Sequence, residues 1–167
     1  MRSVKWQIPT MVVVGVLMQA AFASAGTVKA AQTIGFADDA DVRPKIKDEC
    51  KLQTKVPAFL KDFSSDVELV TGDPGGTGRV LSMRVTQVHA PGGGMFSGPK
   101  WMTVTGELHE DGEMIGNFTA RRGSGGGAFG GYKGTCSILG RCAKTIGKDI
   151  AAWLNSPGKD SRLGDAR

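Results

Sequence analysis

The sequence predicts an α+β domain: an antiparallel sheet of four to five strands in a single layer. A short N-terminal helix and a longer C-terminal helix cover one of its faces. Three observations carry this. Two long segments, Val80–His89 and Lys100–Glu110, alternate apolar and polar residues with the period of a strand. Asp111-Gly112 then marks a tight hairpin turn into a third such segment, Met114–Arg122. Last, Ser137–Leu154 carries apolar residues at three- and four-residue steps, the stripe of a helix lying on a sheet.

The elements are read in chain order. Arg2 and Lys5 precede an apolar run from Met11 to Leu17, extended by Ala20–Ala23, and Ala23-Ser24-Ala25 has the small-x-small form of a cleavage site. Residues 1–25 thus read as a secretory signal peptide rather than a membrane anchor, because a spanning helix needs about 20 apolar residues. The exported chain is expected to begin at Gly26, to lack any membrane span and to reside in a periplasm. Intact mass of the exported protein should match residues 26–167; a product that retains Arg2 refutes the assignment.

Residues 26–41 are small and polar and read as a flexible lead-in to a domain spanning 42–157. Val42–Lys47 contains Pro44 and suits a short edge strand. Thr54 is a candidate N-cap for a helix over 54–64, with Pro57 in its first turn and Val56, Phe59, Leu60 and Phe63 on one face. Asp66–Thr71 reads as a strand, and Gly72-Asp73-Pro74-Gly75-Gly76 as a turn. In the three long strands, Leu81, Met83 and Val85, then Met102, Val104 and Leu108, then Met114, Phe118 and Ala120 are assigned to the inner face. The final helix buries Ile138, Cys142, Ile146, Ile150, Trp153 and Leu154 and stops at Pro157-Gly158. Residues 158–167 are charged and small and read as a disordered tail.

Glycine is the compositional outlier, with 25 residues in 167, but no Gly-X-Y period is present, which excludes collagen. Two glycine-rich connections hold apolar residues: Met95 and Phe96 between the second and third strands, Phe129 and Tyr132 before the last helix. These four are the candidate partner-binding residues, on a mobile surface that orders against a partner. Gly125–Gly130 matches G-x-G-x-x-G, but it follows a hairpin strand and does not open directly into a helix, so it carries no dinucleotide function. Arg121, Arg122, Lys133 and Arg141 form a second candidate set, for an anion near the start of the final helix.

Catalytic material is sparse. His89 and His109 fall at opposite ends of neighbouring strands and cannot share a metal. Ser97 and Ser124 lack a nucleophile elbow. Glu107, Glu110, Asp111 and Glu113 cluster at a hairpin and read as a solvated turn. No enzyme activity, metal or cofactor is expected. The net charge of +5 falls to +3 once Arg2 and Lys5 are removed, too mild to require nucleic acid.

Cys50, Cys136 and Cys142 meet an oxidising compartment after export, so one disulfide and one spare thiol is the simplest arrangement. Cys142 lies on the buried stripe. A Cys136–Cys142 bridge is awkward, since six helical residues separate the pair by about 9 Å. Cys50–Cys136 is favoured, with Cys50–Cys142 and three reduced thiols as the alternatives.

The stretch from Leu81 to Leu154 runs L-S-M-R-V-T-Q-V, then W-M-T-V-T-G-E-L-H-E-D-G-E-M-I-G-N-F, R-R-G-S-G-G-G, and a helix ending K-D-I-A-A-W-L. It resembles small exported bacterial envelope proteins of unknown function, and their fold resembles the sheet-and-helix domain of curli-secretion and TolB-type proteins. The resemblance implies a non-enzymatic periplasmic protein that binds or helps assemble an envelope component. Its expected partner is an envelope protein or an anionic envelope component, such as a glycan or lipid headgroup; a periplasmic hydrolase is the third and weakest reading.

Overall fold

The computed structural model describes residues 26–91, 98–124 and 134–166. In chain order these form β1 (Val28–Ala31), β2 (Gly35–Asp41), α1 (Pro44–Cys50), α2 (Leu52–Phe63), β3 (Val67–Val70), β4 (Arg79–His89), β5 (Lys100–Glu110), β6 (Glu113–Ser124), α3 (Thr135–Trp153) and β7 (Ser161–Gly164). The expected signal peptide, residues 1–25, lies outside the described residues. Among the described residues no helix is long and apolar enough to cross a membrane.

The α+β class holds, but the sheet is mixed and has seven strands among the described residues, in the order β3-β1-β4-β5-β6-β7, with β2 also paired to β4. The three long strands are antiparallel neighbours, as their alternation predicts. The short strands are parallel additions: β1 to β3 and β4, β2 to β4, and β7 to β6. Parallel neighbours require a crossover, usually a helix. Here α1 and α2 lie between the paired strands β1 and β3, and α3 carries β6 to β7.

Both terminal segments therefore depart from expectation. The lead-in 26–41 is not flexible but forms β1 and β2. Val28 and Ala30 point inward and are fully buried, and β4 supplies the edge on which so short a strand depends. In the tail, residues 158–166 are ordered rather than disordered. Asp160 and Asn117 exchange hydrogen bonds, the Trp153 indole donates to Ser161 Oγ at 3.0 Å, and the Asp165 amide donates to the Arg121 carbonyl. These contacts seat β7 beside Phe118–Arg121.

The expected edge strand at Val42–Lys47 is instead the start of α1. Pro44 stands at the first helical position, where its missing N–H removes no bond. The layer thus holds three helices among the described residues rather than two. The next helix begins two residues before the expected 54, with Lys51 rather than Thr54 as its N-cap. That places Pro57 in the helix interior, where it leaves the Gln53 carbonyl without its helical donor. The Ile34 amide fills the gap, donating to Gln53 at 3.0 Å, so the proline helps attach the chain between β1 and β2.

At the β5–β6 hairpin, Asp111 and Gly112 both take positive φ, 49° and 89°, as a tight turn of this hand requires. Met114, expected to face inward, is exposed. Leu108 pairs with Gly116 while His109 pairs with Met114, so Ile115 is an extra residue. This bulge turns Met114 to the outer face. The remaining inward assignments on β5 and β6 hold, with Met102, Val104, Leu108, Phe118 and Ala120 buried against α3. Phe118 lies over Gly106 and meets Trp153 edge-on at 4.9 Å.

Candidate functional site

Because the helices pack on one face, the register defines the other. Antiparallel partners share a face, so Arg84, Thr105 and Thr119 form one cross-strand row, continued by Arg162 of β7. The next row is Asp41 of β2, Gln87, Thr103 and Arg121, and the one beyond it His89, Trp101 and Gly123. Among the described residues no element covers this face.

Alternation on β6 gives two adjacent arginines opposite fates. Arg122 points to the helix side, where its guanidinium donates to both Asp149 oxygens at 2.7 and 3.0 Å and to Asp165 at 3.3 Å. These hydrogen bonds, led by Asp149, hold its proton more tightly than usual. Arg121 points to the uncovered face and lies over the Trp101 ring, 3.9 Å from its centroid. His89 stacks parallel to the same indole, at 5.3 Å and 12°. His89, Trp101 and Arg121 thus form one stack across three strands. None of Arg84, Arg121 and Arg162 has an ion pair among the described residues. The Thr103 hydroxyl, on a side chain 6% exposed, has no hydrogen-bond partner among the described residues.

A depression of about 150 Å³ opens farther along this face, lined in part by Ser82, Arg84, Thr105, Glu107, Asn117 and Thr119. Glu107 faces His109, with 3.9 Å between carboxylate and imidazole. A separate cleft of about 440 Å³ lies between α1 and the start of α3, beside the disulfide.

Met95, Phe96, Phe129, Tyr132 and Lys133, and the glycine pattern Gly125–Gly130, lie outside the described residues. Their connections nevertheless leave from one end of the sheet: one joins His89 to Lys100, the other follows Ser124, the partner of Lys100. The three described members of the expected anion set do not come together on one surface. Arg122 is engaged within the fold, Arg121 faces outward from the sheet, and Arg141 is exposed on α3, in the helix layer. The pairing places His89 and His109 at opposite ends of β4 and β5.

Cys50 and Cys136 form a disulfide, their Cα atoms 4.7 Å apart, linking the end of α1 to the first turn of α3. Cys142 is a buried free thiol. Burial pushes its pKa up, so it is a poor nucleophile. Among the described residues no group of three His, Cys, Asp or Glu is placed to hold a metal.

Sequence reasoning missed Arg84, Trp101, Thr103 and Arg162 as site residues. Strand parity put Arg84 and Thr103 outward, but nothing in it marked them as a patch. Arg162 falls in the segment that composition marks as a tail.

No family model and no curated protein matches the sequence. The fold is similar to that of a solved uncharacterized protein, with a TM-score of 0.54 and 13% identity over 78% of this chain and 92% of that one. Looser similarity extends to a PelC dodecamer from Paraburkholderia phytofirmans (TM-score 0.46, 15% identity, 75% of this chain and 89% of that one). A minor lipoprotein from Acinetobacter baumannii is comparable (TM-score 0.44, 15% identity, 79% and 94%).

Proposed function

We propose that this chain is an exported, non-enzymatic protein that binds or helps assemble a component of the bacterial cell envelope. One observation carries the reading: both glycine-rich connections leave the sheet at the end where His89, Trp101 and Arg121 stack on an uncovered polar face. A rigid sheet that presents loops at one end is a common way of building a recognition surface. The Cys50–Cys136 disulfide supports export, since such bonds persist in oxidising compartments. The kinship with curli-secretion and TolB-type domains belongs to this proposal and rests on the sequence motifs alone.

The loop residues give the test. Met95, Phe96, Phe129 and Tyr132 are replaced together by serine, and crosslinking from whole cells is compared with wild type. On this reading the melting temperature stays nearly unchanged and partner capture is lost, because aromatic side chains often dominate interface energy. If the four instead complete the core, each fully buried side chain lost costs about 1.5–3 kcal/mol. A destabilised variant that captures the same partners overturns the placement of the binding surface.

A further inference from the structure

We propose that the uncovered sheet face binds an acidic, carboxylate-bearing polysaccharide through Arg84, Arg121 and Arg162. The inference rests on the envelope-binding reading above and names the ligand class. Arg84 and Arg162 stand in one cross-strand row, three strand spacings or about 14 Å apart. Arg121 stands one row along. That spacing suits a polymer with repeated carboxylates better than a single small anion. Unlike Arg122, none of the three is neutralised by an ion pair among the described residues.

Arg121 is held by stacking on Trp101, which His89 backs from across the strand pair. Its guanidinium therefore loses little freedom when its edge takes a carboxylate in a bidentate pair. The adjoining depression adds the hydroxyls of Ser82, Thr105 and Thr119, suited to a hydroxyl-rich chain, with the Glu107 carboxylate at its far side beside His109.

An anionic bilayer fits less well. Interfacial binding needs apolar side chains beside the cations. The large apolar side chains exposed among the described residues are Phe63, on α2, and Met114, beside His109 at the far end of the face.

Polygalacturonate serves as the acidic probe, neutral dextran as its control and phosphatidylglycerol vesicles as the alternative surface. The wild-type protein should bind polygalacturonate and not dextran, and added salt should weaken binding. The R84Q/R121Q/R162Q variant should lose about tenfold or more in affinity. Because Arg121 belongs to the stack, R84Q/R162Q, which leaves it intact, is the second variant and should lose affinity in the same direction with an unchanged melting temperature. No binding to polygalacturonate, equal affinity in folded variants, or tighter binding to the vesicles overturns the proposal. If polygalacturonate fails while wild-type crosslinking still captures an envelope partner through the loop residues, only the ligand class falls. If both fail, the envelope-binding reading falls with it.

Discussion

Replacing Cys50 by serine should destabilise the protein by about 4 kcal/mol, if loop-closure entropy in the unfolded chain sets the stabilisation. The bond spans 86 residues and encloses α2 and the three long strands. Without it the unfolded chain regains that freedom, while the native state keeps its packed core. Cys142→Ala removes a small buried side chain and no crosslink, and should cost about 1 kcal/mol. Urea unfolding of both variants measures the difference, and the wild-type protein under reducing conditions should approach the Cys50→Ser value. Non-reducing peptide mapping should join the Cys50 and Cys136 peptides. Equal losses in the two variants, or a mapped Cys50–Cys142 bond, contradict the assignment.

The second large effect lies where α2 meets α3. A Cβ added at Gly147 would stand 2.8 Å from the Leu60 amide nitrogen and 2.9 Å from the Phe59 carbonyl carbon. Both obstacles are backbone, so relief requires the helices to separate. Gly147→Val should therefore cost about 3 kcal/mol, despite removing a glycine from a helix interior. Gly140 occupies the same helix, yet the nearest atom to its added Cβ is the end of the Lys55 side chain at 3.9 Å. Gly140→Ala should stabilise the protein by about 0.5–1 kcal/mol, the gain expected from helix propensity. Thermal unfolding of the two variants should thus move in opposite directions. A neutral or stabilising Gly147→Val would show that the helices do not approach through this glycine.

Much of the central architecture was legible locally. β4, β5 and β6 announce themselves because each is long enough for alternation to be read, and Asp111-Gly112 specifies the turn between β5 and β6. The face of α3 was readable because Ile138, Cys142, Ile146 and Ile150 recur at helical spacing and are buried as expected. The candidate site was only half legible. Strand parity gives the outward direction of Arg84 and Thr103, but not that Arg162 joins them, since β7 was read as a tail. Alternation sends Arg121 and Arg122 to opposite faces, but no local signal names what each one meets there. Their difference depends on Trp101 in a neighbouring strand and Asp149 on a distant helix.

By itself, then, the sequence determined the elements whose information is contained within their own length: three long strands, one tight turn and an amphipathic C-terminal helix. It also favoured the correct cysteine pair, because helix geometry disfavours Cys136–Cys142 and Cys142 is committed to the core. Only the tertiary structure decided the fate of the short segments. Four residues cannot form a strand alone, so β1 and β7 exist because the longer β4 and β6 offer edges, and β3, legible as a strand at Asp66–Thr71, finds its place only against β1 once α1 and α2 have returned the chain. It also decided which side of the sheet remains open. The three helices among the described residues belong to parallel crossovers on one face, and Arg84, Arg121 and Arg162 on the other are left without an ion pair among those residues. The physical reason is one of range: alternation and helical spacing act within about a dozen residues, whereas pairing, crossover and charge compensation join positions far apart in the chain.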